Sequence, residues 1–92
     1  TYVKQMSRPL AKEKIRINAV VPGNIMFENS VWDKKLKKNP KKVKNFIKNH
    51  VPLKRFGKPE EIGNIVSFLS SNKSSFITGS IFIVDGGQTR SF

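Results

Sequence analysis

Side chains able to do acid–base, nucleophilic or metal chemistry are few in these 92 residues. There is no cysteine, which excludes a disulfide scaffold and a cysteine-based zinc site. The single histidine, His50, leaves no set of nitrogen ligands and is expected as a surface or capping residue. Glu60 and Glu61 look like a carboxylate pair. They follow Pro59 in what reads as the first turn of a helix, where acids oppose the helix dipole. Arg55 is expected as an ion-pair partner inside the fold rather than a substrate ligand. What remains is backbone chemistry at two turns. Pro22-Gly23 closes the stretch IRINAVVPG, and Asp85-Gly86-Gly87 closes SIFIVDGG. Ligands of an open parallel sheet sit beyond the carboxyl ends of its strands. Pro22, Gly23, Asn24 and Ile25 are therefore expected to form a backbone wall beside a ligand, with a lid after them.

The elements that must position this wall follow from patterning. Residues 15–21 are near-continuously apolar, as a parallel strand covered on both faces requires. Pro22 has no N–H and is expected to end that ladder. Upstream, Val3, Met6 and Leu10 form one stripe of a helix over residues 1–14, with a kink near Pro9. Downstream, residues 26–56 form a long polar connection with two short amphipathic pieces. Asn39-Pro40 separates them, and Pro40 suits the first position of the second helix. Val43, Phe46 and Ile47 give that helix one apolar face. A long insertion of this kind is typically a lid, with Phe27 and Trp32 facing substrate or packing on the body. A helix over residues 59–71 and a strand over residues 80–84 complete a βαβ crossover, so the fold class is α/β.

Composition bounds the partners. The net charge is +12, from 18 Lys+Arg against 6 Asp+Glu, and the excess is concentrated in residues 34–48. Such a cluster raises the alternative of a basic, non-catalytic module for nucleic acid or another polyanion. Only Trp32 and Phe46 lie nearby as stacking candidates, which favours a solvated helix face and, at most, attraction of an anionic substrate. No apolar run approaches a membrane span and no signal peptide is visible, so the reducing cytoplasm is the default location.

Four segments resemble, in order, the C-terminal part of the short-chain dehydrogenase/reductase family, classical branch. They are IRINAVVPG from Ile15, PLKRFGKPEEIG from Pro52, FITG from Phe76 and IVDGG from Ile83. That branch includes 3-oxoacyl-[acyl-carrier-protein] reductases and sugar, alcohol and steroid dehydrogenases. The resemblance implies an incomplete, doubly wound Rossmann-type sheet, with residues 1–92 the C-terminal portion of one NAD(P)-binding domain. It implies hydride transfer between NAD or NADP and a carbonyl or alcohol substrate, possibly carrier- or CoA-linked. Pro22, Gly23, Asn24 and Ile25 would line the nicotinamide, with Ile25 backbone groups facing its carboxamide. The family often has threonine two residues after that isoleucine; Phe27 stands here instead. Asn18 matches a structural strand asparagine. The catalytic serine and Tyr-x-x-x-Lys pair are expected upstream of Thr1, since Tyr2 is followed four residues later by Met6. No catalytic residue is therefore expected in this chain, which alone should be inactive and unstable or self-associated. The helix 59–71 and strand 80–84 would form a subunit interface, usually in a tetramer.

Overall fold

The computed structural model describes residues 2–89. The sequence expectations at Thr1 and at residues 90–92 lie outside the described residues. In chain order the elements are α1 (Tyr2–Lys12), β1 (Ala19–Pro22), α2 (Val31–Lys38), α3 (Pro40–His50), α4 (Pro59–Leu69), a 3-10 turn (Asn72–Ser74) and β2 (Ile81–Val84). β1 and β2 are adjacent and parallel, with Ala19 opposite Ile81 and Pro22 opposite Val84. The connection between them carries the α2–α3 hairpin and α4, so the crossover architecture expected from the patterning is present.

β1 is shorter and later than the strand expected over residues 15–21. Residues before Ala19 run alongside the chain leading to β2, held by side chains rather than a ladder. The Ile17 N–H donates to the Thr78 hydroxyl at 3.1 Å. The Asn18 amide donates to the Ile77 carbonyl at 3.1 Å and accepts from the Ser80 N–H at 3.0 Å. Asn18 is thus structural: it supplies both halves of a missing peptide pair. Pro22 ends the ladder as expected, but from inside the strand, as its last residue rather than the one just beyond it. The reason is alternation. Ala19 and Gly23 donate their N–H groups to Ser80 and Val84 of the partner strand, both at 2.9 Å. The position of Pro22 between donors turns its absent N–H to the other edge, where β2 needs nothing.

α1 runs through Pro9 without a break to Lys12, after which the chain turns back through Lys14 at φ 59° and an Ile15 N–H to Leu10 carbonyl bond of 2.9 Å. α2 begins at Ser30, whose hydroxyl accepts from the Asp33 N–H at 3.1 Å. α3 begins at Asn39, whose side chain accepts from the Lys42 N–H at 3.2 Å, with Pro40 first in the helix as its chemistry predicts. α4 stops at Leu69, two residues short of expectation. The Ser70 and Ser71 hydroxyls donate to the Val66 and Phe68 carbonyls at 2.9 and 2.7 Å and terminate the helix there.

Among the described residues the buried apolar side chains, Val43, Ile47 and Val51, all belong to α3 and the residue after it. The strands and α4 are covered only in part. Val66 and Phe68 on α4 are 46% and 42% exposed, and Phe76 is wholly exposed. The accessible surface is 7221 Å², against about 5,400 Å² for a compact monomer of this mass. Two strands and their neighbouring helices do not enclose a core of their own.

Candidate functional site

The turns after β1 and β2 leave the sheet at the same end and touch. A Cβ on Gly23 would lie 2.6 Å from Asp85 Cβ and 2.7 Å from Asp85 Cα. Gly23 is therefore required by close approach, and its φ is not in the left-handed region. Gly86 and Gly87, at φ 66° and 90°, are required by conformation. The Asp85 carboxylate accepts from the Gly87 N–H at 2.9 Å and the Thr89 N–H at 2.7 Å. Hydrogen bonding by the Thr89 side chain first, and by these backbone groups after it, holds its pKa below the ordinary value. Asn24 then ties the two turns together by donating to Gln88 Oε1 at 2.6 Å.

Ile25 forms an isolated parallel bridge with Gly57, where the chain returns from the hairpin. Gly57 donates to the Asn24 carbonyl at 2.9 Å, and Met26 donates to the Gly57 carbonyl at 3.0 Å. In such a bridge one residue, here Gly57, uses both of its backbone groups and its partner Ile25 uses neither. The N–H and C=O of Ile25 consequently point away from Gly57, and among the described residues neither has a hydrogen-bond partner. This side-by-side donor and acceptor matches a primary carboxamide, which offers one acceptor and one donor. Between the turns and the returning chain lies a small cavity of ≈ 50 Å³, lined by Ile25, Val51, Arg55, Glu61 and Asp85 among others.

The hairpin stands beyond this wall. Trp32 packs against Phe46 at 5.2 Å and against Phe56 at 5.4 Å between ring centroids. It thus links both hairpin helices to the residue before Gly57. Phe27, by contrast, is 55% exposed. The His50 ring lies against Phe46, with 4.5 Å between centroids, on an exposed residue.

Arg55 does find an ion-pair partner, but on the surface. It donates to both Glu61 carboxylate oxygens at 2.8 and 3.0 Å, and the Lys58 N–H adds a third bond at 2.9 Å. These donors, Arg55 first, lower the Glu61 pKa from 4.5 to about 2. The pair closes the hairpin's return onto the first turn of α4. Because the folded value is depressed, its stabilisation is complete above the ordinary value and lost as pH falls toward the folded one. Glu61→Gln should therefore lower the urea midpoint of the intact protein near neutrality, and the difference should vanish as pH falls from 4.5 to about 2. A difference that persists unchanged across that range would assign the role of Glu61 to packing.

Among the described residues no group of three or more His, Cys, Asp or Glu could hold a metal ion, and no helix is long and apolar enough to cross a membrane. Tyr2 is 68% exposed. The feature that sequence reasoning missed is Arg16. Its guanidinium donates to the Leu69, Ser71 and Ile77 carbonyls and to the Ser74 hydroxyl, at 3.0 to 3.4 Å. An arginine among strand formers is the signal that could have found it, since a charge there needs acceptors nearby.

Two parallel strands joined through a crossover helix define part of a Rossmann-type α/β fold. The chain belongs to the short-chain dehydrogenase/reductase family: residues 1–89 match the family described as Enoyl-(Acyl carrier protein) reductase. It is 40% identical over 84 residues to the 3-oxoacyl-[acyl-carrier-protein] reductase FabG of Thermotoga maritima, covering 91% of this chain and 32% of that protein. It is 38% identical over 91 residues to glucose 1-dehydrogenase 2 of Bacillus subtilis, covering 95% of this chain and 33% of that protein. Among solved structures, 4-hydroxyisoleucine dehydrogenase complexed with NADH superposes with a TM-score of 0.83 at 34% identity, covering 99% of this chain and 36% of that one. YwfH, an NADPH-dependent reductase of bacilysin biosynthesis, gives 0.82 at 33% identity, again over 99% and 36%. The chain thus spans about a third of the length of the relatives it matches. These relatives give no support to the alternative of a basic binding module.

Proposed function

We propose that residues 1–92 form the C-terminal part of an NAD(P)-dependent oxidoreductase acting on a carbonyl or alcohol substrate. The cofactor supplies the hydride; a proton delivered to the substrate oxygen completes reduction of C=O to CH–OH. No residue of this chain delivers that proton. The catalytic serine and the Tyr-x-x-x-Lys pair belong to sequence upstream of Thr1. Pro22, Gly23, Asn24 and Ile25 form the nicotinamide wall, and residues 26–56 form the substrate lid, with Phe27 and Trp32 on it. The observation that carries this reading is the free peptide pair of Ile25 at the carboxyl end of the sheet. It is oriented by the Gly57 bridge to hold a nicotinamide carboxamide. The neighbours solved with NADH or described as NADPH-dependent support the choice of cofactor. The subunit contact is proposed at the helix 59–71 and strand 80–84, in a cytoplasmic tetramer. The exposed Val66 and Phe68 and the open space over Gly63 support it.

The test is oxidation of reduced nicotinamide by the intact protein with carbonyl substrates. Activity should appear with NADH or NADPH. A cofactor analogue with acetyl in place of the carboxamide loses the donor to the Ile25 carbonyl. It should bind about 3- to 10-fold more weakly, the worth of one hydrogen bond. Absence of nicotinamide binding to the intact protein would overturn the reading.

A further inference from the structure

The hairpin carries a second concavity that the nicotinamide wall does not explain. Between α2 and α3 lies a groove of ≈ 480 Å³, open to solvent. That is the size of a small-molecule pocket, about 300–1,000 Å³. Its floor is apolar: Trp32, Phe46 and the buried Val43. Its rim is cationic, from Lys35, Lys38 and Lys42. Lys35 Nζ stands 5.0 Å from the Trp32 ring centre, at the join of rim and floor. Asp33, the one acid on these helices, is already committed: it accepts from the Asn29 N–H at 2.9 Å and pairs with Lys37 at 3.3 Å. Among the described residues none of the three rim lysines takes part in an ion pair.

We propose that this groove binds an amphipathic anion, an acyl or aryl body carrying a carboxylate or phosphate. The body lies on Trp32, Val43 and Phe46, and the anion is held by Lys35, Lys38 and Lys42. Charge complementarity selects this occupant. Three unpaired ammonium groups around one apolar floor repel each other, and an anion relieves that repulsion while its body covers the rings. A neutral hydrocarbon covers only the floor, and inorganic phosphate meets only exposed ammonium groups in water, where single pairs are weak. The groove is connected to the wall through packed groups: Trp32 meets Phe56, whose neighbour Gly57 bridges Ile25. A bound anion is therefore in contact with the side chain that anchors the hairpin to the site.

Trp32, the sole tryptophan of these 92 residues, reports on the groove directly. The experiment titrates the intact protein, without nicotinamide cofactor, with octyl phosphate, octanoate, octanol and inorganic phosphate. All are kept below their aggregation concentrations, and fluorescence is read as the difference from Trp32→Phe. Octyl phosphate and octanoate should bind about tenfold or more tighter than octanol or inorganic phosphate, a gap that added salt narrows. Lys35→Gln/Lys38→Gln/Lys42→Gln should abolish that gap. Lys34→Gln/Lys41→Gln/Lys44→Gln removes the same charge from lysines outside the groove and should keep most of it. Equal binding of octanol and octyl phosphate, or equal losses in the two triple variants, would overturn the proposal. So would a signal seen only with anionic vesicles, which would assign the face to a membrane surface. The readout needs no turnover, so its failure is separable from failure of the oxidoreductase reading.

Discussion

Arg16→Ala in the intact protein should lower the unfolding free energy by about 3 kcal/mol, measured as a shift in denaturant midpoint at unchanged slope. The guanidinium gathers four acceptors from three places: Leu69 at the end of α4, Ser71 and Ser74 around the 3-10 turn, and Ile77 on the approach to β2. Helix carboxyl ends leave several carbonyls without partners, and this arginine supplies donors to them. Ser74 is 1% exposed, so its hydroxyl has little water to turn to, although it keeps its own bonds to Leu69 and Ser71. Alanine deletes these charged donors, each bond worth about 1 kcal/mol, while the carbonyls keep only their weaker neutral partners, Ser74 for Leu69 and Ser71 and Asn18 for Ile77. Arg16→Lys should recover only part of the loss, because one ammonium cannot span acceptors that the planar fork reaches with two nitrogens. If Arg16→Ala and wild type unfold at the same midpoint, the guanidinium bonds contribute nothing net.

Gly23→Ala should cost about 2 kcal/mol of stability and weaken nicotinamide binding to the intact protein by about tenfold. The added methyl collides with Asp85 Cβ and with the Asp85 main chain, neither of which is the far end of a flexible side chain. One of the two turns must move. Either movement strains the 2.6 Å Asn24–Gln88 bond and carries Ile25 with it. Asp85→Gly in the same background should restore binding only in part. It relieves the collision with Cβ and leaves the one with the main chain, and it deletes the carboxylate that accepts from Gly87 and Thr89. Calorimetric titration of the intact variants with cofactor checks this. Unchanged affinity in Gly23→Ala would remove the turn from the binding wall.

Gly57 shows why two similar glycines differ in consequence. A Cβ there would be crowded by Ile25 Cδ1, the far end of a rotatable side chain, at 2.7 Å, with the Asn24 carbonyl oxygen at an ordinary 3.8 Å. At Gly23 the obstacle is backbone. Both glycines follow the same sequence logic, and only the neighbour's rigidity separates them.

The landmarks legible along the chain were those with local causes. Proline and glycine set backbone freedom wherever they occur, so the starts of α3 and α4 and the turns at Gly23 and Gly86 could be placed from residue type alone. The α/β order followed from apolar period, and the family from four short segments in sequence order. Strand extent was not legible, because apolar character at residues 15–18 says nothing of whether a partner strand lies alongside. Ile15 is 50% exposed despite its place in the run.

The amino-acid sequence by itself determined the class of the chain and the places of the turns at Gly23 and Gly86. These depend on residue identity and order, which the chain carries without folding. Tertiary structure alone decided which groups face which. It turned the Ile25 peptide outward through a bridge to Gly57, pressed Gly23 against Asp85, and brought Arg16 under carbonyls more than fifty residues away. It also set Trp32 between Phe46 and Phe56 and left three lysines around the rings. Contacts between distant residues have energies set by distance and angle, and no local propensity encodes either.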